Sequence, residues 1–227
     1  MRRRYRPLLT DYVFDGSKPV PGRGVQGGDG YREDEPTNPL GEYGKSKLAG
    51  EQAVAAGGTP WLVLRTSWVY GLRGHNFLRT VLRLAGERDK LGMVADQFGA
   101  PTWSRMIAEA TAQIVSRMMA SGNTIEDGMG QFSSIYHLTA GGIATWCAFA
   151  RAIVEVAAAR PGSGLLCTPS AIAEISTGDY PLPARRPVNS LLSNKRIFET
   201  FAISLPDWRT QLALCLDGAD NLKAAVS

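Results

Sequence analysis

Short apolar runs of strand length alternate with stretches of helical periodicity along most of this chain, and that alternation restricts it to an α/β architecture. Leu8–Phe14 (LLTDYVF) is a short β-rich run, Trp61–Tyr70 opens as the apolar strand WLVLRT, and Leu91–Ala95, Ile135–Thr139 and Leu165–Thr168 read as further strands. Between them, Asn38–Pro39 predicts the start of a helix that runs to about Gly57, where Gly57–Gly58 stops it. Asn76–Gly86 places Phe77, Leu78, Val81, Leu82 and Ala85 on one face. Trp103–Met119 does the same with Trp103, Ile107, Ala110, Ile114 and Met118. Trp146, Phe149, Ala150, Ile153 and Ala157 mark the next helix, and Asn194–Phe201 and Pro206–Leu216 two short terminal ones. The strands are apolar runs without period-two alternation, which predicts a parallel sheet covered on both faces.

Composition narrows the function classes. The 227 residues are 44% apolar and 20% charged, enough for a sizeable core. The net charge of +4 comes partly from the opening MRRRYR, read as a solvated terminus. No basic stripe with interleaved aromatics continues from it, so a nucleic-acid partner is not expected. No apolar segment follows the arginines, so no signal peptide is expected. The most apolar stretch, IATWCAFARAIVEVAAA, carries Arg151 and Glu155 at helical spacing and reads as an amphipathic buried helix, not a membrane span. Cys147, Cys167 and Cys215 are far apart and odd in number, which argues against a disulfide framework or a metal cage and fits a reducing, cytoplasmic setting. His75 and His137 have no ligand partner at useful spacing, and no metal site is expected. Asp15–Gly30 is a glycine- and proline-rich loop.

The segment that points to chemistry is Gly41–Glu51, GEYGKSKLAGE. Tyr43 and Lys47 are four residues apart, so a helix places them on one face, one turn apart. A phenol beside an ammonium is favoured as phenolate and can hand its proton to a carbonyl oxygen as hydride reaches the carbon. Alone, the pair is also what an exposed helix carries by chance. Gly44 and Gly50, however, lie inside the same helix at a cost of about 1 kcal/mol each relative to alanine, which suggests close approach of another backbone or a ligand. The next strand ends RTSWVYG, polar and aromatic at the tip where open α/β sheets bind ligands.

In chain order stand TDYVFDG (Thr10–Gly16), YREDEPTNP (Tyr31–Pro39), YGKSKLAGE (Tyr43–Glu51), LRTSWVYG (Leu64–Gly71), NFLRTVLRLA (Asn76–Ala85), DQFGAPT (Asp96–Thr102), YHLTAGG (Tyr136–Gly142) and RRPVNSLLSNKRI (Arg185–Ile197). This series resembles the dTDP-4-dehydrorhamnose reductases, extended short-chain dehydrogenases, over nearly the whole chain. The resemblance implies a partial Rossmann-like doubly wound parallel sheet, with residues 1–105 the remaining part of the catalytic domain. Residues 106–227 would be a mixed C-terminal portion holding a smaller substrate-binding subdomain. It implies reduction of the 4-keto group of dTDP-4-dehydro-6-deoxy-L-mannose to dTDP-L-rhamnose, a step of cell-surface polysaccharide synthesis. NADPH would be the cofactor, with NADH as the variant.

Thr10 then matches the hydroxyl residue that orients the substrate carbonyl, Tyr43 the proton donor, and Lys47 the residue that holds the nicotinamide ribose. Trp68 matches a wall of the sugar pocket, and Asn76, Gln97 and Arg186 match substrate contacts. Each has a plainer reading: Thr10 a β-branched strand residue, Trp68 core, Asn76 a helix N-cap, Gln97 a loop polar group, Arg186 a surface ion pair. A homodimer is compatible with the resemblance.

Members of that family also carry a strand and a glycine-rich turn that receives the cofactor pyrophosphate at a helix N-terminus. Nothing in the 227 residues matches it, so weak or absent NADPH binding is expected of this chain alone. Two other readings stand beside the reductase. One is a non-catalytic binding subunit similar to the methionine adenosyltransferase regulatory subunit, which would need none of Thr10, Tyr43 and Lys47. The other is an inactive remnant.

Overall fold

The computed structural model describes residues 8–20, 30–121, 127, 130–180 and 185–218. The opening MRRRYR and Gly22, Gly24, Gly27 and Gly28 of the predicted loop lie outside them.

A three-stranded parallel sheet organises the half that carries the predicted chemistry. Strand β1 (Leu8–Thr10) pairs with β2 (Leu62–Thr66), which pairs in turn with β7 (Ser134–His137). The register sets Thr10 opposite Thr66 and Arg65 opposite His137, so the three strands end side by side. Every residue of β2 is buried, the apolar Leu62–Leu64 together with the polar Arg65 and Thr66. Shorter pairs surround this sheet. β3 (Val69–Tyr70) lies parallel to β6 (Thr102–Trp103) and β4 (Leu91–Val94) parallel to β9 (Ile172–Ile175), while β5 (Phe98–Gly99) runs antiparallel to β8 (Ala144–Thr145). The mixed α/β class with a parallel central sheet is therefore as the sequence predicts.

The helices used below are α1 (Glu42–Ala55), α2 (Phe77–Glu87), α3 (Ser104–Ala120), α4 (Trp146–Ala158), α5 (Lys195–Phe201) and α6 (Trp208–Asp217). The faces predicted for α2 and α3 are the buried ones. Leu78, Val81, Leu82 and Ala85 join Phe149, Ile153 and Ala157 of α4 in one apolar cluster, while Ile107, Ala110, Ile114 and Met118 join Leu62, Leu64 and Tyr136 in another. No helix among the described residues is long and apolar enough to cross a membrane.

Three expectations need correcting. The first helix starts at Glu42 rather than at Asn38–Pro39, because Asn38 is engaged elsewhere. Its N–H donates to the Val13 carbonyl (2.9 Å) and its side-chain amide to Asp15 Oδ2 (3.0 Å). Leu8–Phe14 is extended only to Thr10. The Thr10 hydroxyl oxygen then accepts from the Tyr12 N–H (3.2 Å) and caps a 3₁₀ turn over Asp11–Val13. Leu165–Thr168 forms no strand, because the N–H groups of Leu166 and Cys167 both donate to the Ala85 carbonyl at the end of α2.

Candidate functional site

The site gathers at the C-terminal ends of β1 and β2, the place where open α/β sheets bind ligands. Thr10 closes β1 and is 8% exposed. Its O–H donates to Asp11 Oδ1 (3.0 Å) while its oxygen accepts from Tyr12. The turn that follows brings the Tyr12 ring edge-on to Tyr43, with centroids 6.0 Å apart at 84°. The Tyr12 carbonyl lies so close to Gly44 that a methyl there would collide with it and with Pro39. One of the two helical glycines thus marks a close backbone approach, as predicted. The other does not, since a Cβ at Gly50 would meet nothing within 4 Å.

Tyr43 and Lys47 share one face of α1 as their spacing requires. The Lys47 ammonium lies 5.5 Å from the Tyr43 ring centroid, and Tyr43 is 57% exposed. Among the described residues Lys47 has no ion-pair partner, so its three N–H donors remain available to a ribose. Four residues further along α1, Glu51 is buried and takes Arg65 of β2 in a two-pronged ion pair at 2.9 and 2.7 Å. The Arg65 guanidinium lies 5.2 Å from the centre of the Phe14 ring, and His137 Nε2 is 3.5 Å from Arg65 Nη1. Burial first, and Arg65 second, hold His137 neutral, down to about 3. These buried charges tie the helix of Tyr43 and Lys47 to the central strand, and His137 is structural.

A second group forms where β2 ends. Trp68 adopts a left-handed backbone (φ 46°), uncommon for a bulky residue. Its indole stacks on Trp146 at the start of α4, with centroids 3.5 Å apart and planes 8° from parallel. Trp146 also packs on Phe77 (4.6 Å) and donates its N–H to Gln97 Oε1 (3.2 Å). Gln97, 5% exposed, donates in turn to Thr177 Oγ1 (3.1 Å). Asn76 caps α2, accepting from the Arg79 N–H (3.3 Å), and its amide donates to the Gly71, Arg73 and Gly74 carbonyls. Its plainer reading as an N-cap accounts for these contacts. Arg186 is exposed and near enough to Tyr12 to act on it electrostatically.

The two groups meet through Asp11, which is 3% exposed. Ser67, next to Trp68, donates to Asp11 Oδ2 (3.3 Å), and Ser190 also hydrogen-bonds the carboxylate. Burial nevertheless pushes the Asp11 carboxyl up to about 6. Sequence reasoning missed Asp11 and Trp146. The first was legible only as the polar residue following Thr10, the second as a tryptophan opening a helix, where it reads as core. The depression lined by Lys18, Arg32, Asp34, Glu35 and Pro36 includes none of these residues. Its charges pair with one another, Lys18 with Glu35 (2.6 Å) and Arg32 with Asp34 (2.7 Å).

Comparison with known proteins shows the family of the chain. Residues 8–221 match the family model described as the RmlD substrate binding domain. A dTDP-4-dehydrorhamnose reductase of Burkholderia thailandensis is 50% identical over 208 residues, covering 91% of this chain and 65% of that protein. One from Sinorhizobium fredii is 41% identical over 218 residues, covering 94% and 67%. A crystal structure of dTDP-4-dehydrorhamnose reductase from Bacillus anthracis in complex with NADP superposes with a TM-score of 0.74 at 28% identity, over 92% of this chain and 64% of that one. The chain thus spans about two thirds of the length of these relatives. With a family model covering nearly all of it and these identities, the chain belongs to the RmlD substrate binding domain family.

Proposed function

We propose that this chain carries the proton-donating and sugar-binding part of a dTDP-4-dehydrorhamnose reductase. The substrate would be dTDP-4-dehydro-6-deoxy-L-mannose and the product dTDP-L-rhamnose. The observation that carries the reading is the Tyr43–Lys47 pair, displayed on an exposed helix face beside the strand end that presents Thr10. NADPH, when bound, supplies the hydride that adds to C4. The Tyr43 hydroxyl gives its proton to the oxygen that was the ketone, and Lys47 stabilises the negative charge left on the phenol oxygen. Thr10 orients the carbonyl, Trp68 forms a wall for the sugar ring, and Asn76, Gln97 and Arg186 bound the pocket toward the nucleotide. Residues 1–105 would supply the proton donor and 106–227 most of the substrate-binding subdomain.

The residues present fit the ribose end of the cofactor, because the donors of Lys47 face no competing carboxylate among the described residues. Among the described residues, no turn with G-x-G-x-x-G spacing links a strand to a helix N-terminus, so they provide no pyrophosphate cradle. The reading is tested with the chain fused to the third of the Burkholderia thailandensis relative that it does not span. Supplied with the 4-keto sugar nucleotide and NADPH deuterated at its transferring position, the fusion should form dTDP-L-rhamnose with deuterium at C4. Folded protein that yields no deuterated sugar contradicts the assignment.

A further inference from the structure

Three separate segments bearing residues assigned to the ligand converge on one that was not. Trp146, the first residue of α4, stacks on Trp68 from the end of β2 and packs on Phe77, the neighbour of Asn76. It also donates its indole N–H to Gln97 from the loop before β5. Gln97 is fixed at its other end by Thr177, whose N–H and O–H are both held by the exposed Asp96 carboxylate at 2.6–3.1 Å. A Cβ at Gly99 would overlap the Trp68 indole, so glycine there leaves the ring its place. Both tryptophans are only half-buried, which sets them apart from the closed core beneath. A bulky residue in the left-handed region persists only where its surroundings over-determine it, and here the surroundings are this stack.

We propose that Trp146 is a positioning residue that holds the Trp68 indole in its left-handed setting as a flat wall for the sugar of a nucleoside-diphosphate sugar. Gln97, bonded at both ends of its amide, tethers Trp146 in place behind that wall. The proposal rests on the assignment of Trp68 to the sugar pocket, and its test separates the two. Stacked indoles couple their transitions and give an exciton couplet in far-ultraviolet circular dichroism. In the chain as it stands, Trp146→Phe and Trp68→Phe should each abolish the same couplet, while Trp61→Phe leaves it. Gln97→Leu, which cuts only the N–H tether, should shrink it and keeps the test open if Trp146→Phe does not fold.

Fluorescence titration then compares dTDP-L-rhamnose with dTDP. Trp146→Phe should weaken the sugar nucleotide about five- to tenfold, the worth of one aromatic stack, and leave dTDP unchanged. A couplet that survives Trp146→Phe overturns the proposal, as does a lost couplet with unchanged affinity for dTDP-L-rhamnose. A wild-type chain that shows the couplet yet binds neither ligand overturns the sugar-nucleotide reading and leaves the positioning of Trp68 supported.

Discussion

Asp11 is the residue on which the two halves of the site depend, and it is held at an electrostatic cost. Burial lifts its carboxyl from 3.8 to about 6, although Ser190, Thr10 and Ser67 all donate to the ionised form. The folded chain therefore holds this proton more tightly than the unfolded chain does. Its contribution to stability is greatest below 3.8 and declines as pH rises to about 6. Asp11→Asn, neutral at every pH, should gain on the wild type across that window, by up to about 3 kcal/mol. Urea unfolding of both proteins at several pH values checks this, and a difference that stays flat would contradict it. His137 runs the other way. Its value falls from 6.5 to about 3, so its contribution is present above 6.5 and is lost as pH falls below that.

At this scale the sequence reveals side-chain chemistry better than side-chain engagement. The spacing of Tyr43 and Lys47 fixes their shared face because helix geometry does so. That the Asn76 amide is absorbed by the Gly71, Arg73 and Gly74 carbonyls depends on a loop fold that no local pattern encodes.

Among the elements, α1 is unusual in burying only Gly44 and Glu51. Its place is fixed by the Gly44 contact with the Tyr12 carbonyl, the Glu51–Arg65 ion pair and the packing of Leu48 on Val13, Phe14, Tyr31 and Leu192, rather than by a long apolar stripe. Its two glycines should therefore respond oppositely to alanine. Gly44→Ala drives a methyl into the Tyr12 carbonyl and Pro39 and should cost about 1–3 kcal/mol. Gly50→Ala meets open space and should gain about 0.5–1 kcal/mol from helix propensity. Thermal melts of the two variants check the pair, and a Gly44→Ala protein as stable as wild type would show that the helix is not seated on the turn after β1.

The longer elements were legible because their periodicity reports the buried face directly, as Leu78, Val81, Leu82 and Ala85 illustrate. The two-residue strands β3, β5, β6 and β8 were not, since a pair of residues carries no period and takes its conformation from its partner. The start of α1 was misplaced because Asn38 and Pro39 form a locally valid cap. The distant partners Val13 and Asp15 override it.

For the molecule as a whole, the proposed function assigns proton donation and sugar binding to a chain that spans about two thirds of the length of its relatives. On that reading Tyr43 is the proton donor and Trp68 the aromatic wall, while among the described residues no turn with G-x-G-x-x-G spacing links a strand to a helix for a dinucleotide pyrophosphate. Calorimetric titration of this chain with NADPH should give a Kd weaker than micromolar. Micromolar or tighter binding would show that these residues hold the cofactor by another route.

The most direct measurement is the rate of hydride transfer to the 4-keto sugar nucleotide by the fused protein with Tyr43 and with Tyr43→Phe. The substitution removes one oxygen from a ring that is 57% exposed, so the fold should be undisturbed. If Tyr43 delivers the proton, kcat should fall by roughly 10²–10⁴ with KM little changed. A Tyr43→Phe protein that reduces the ketone at the wild-type rate would contradict the account.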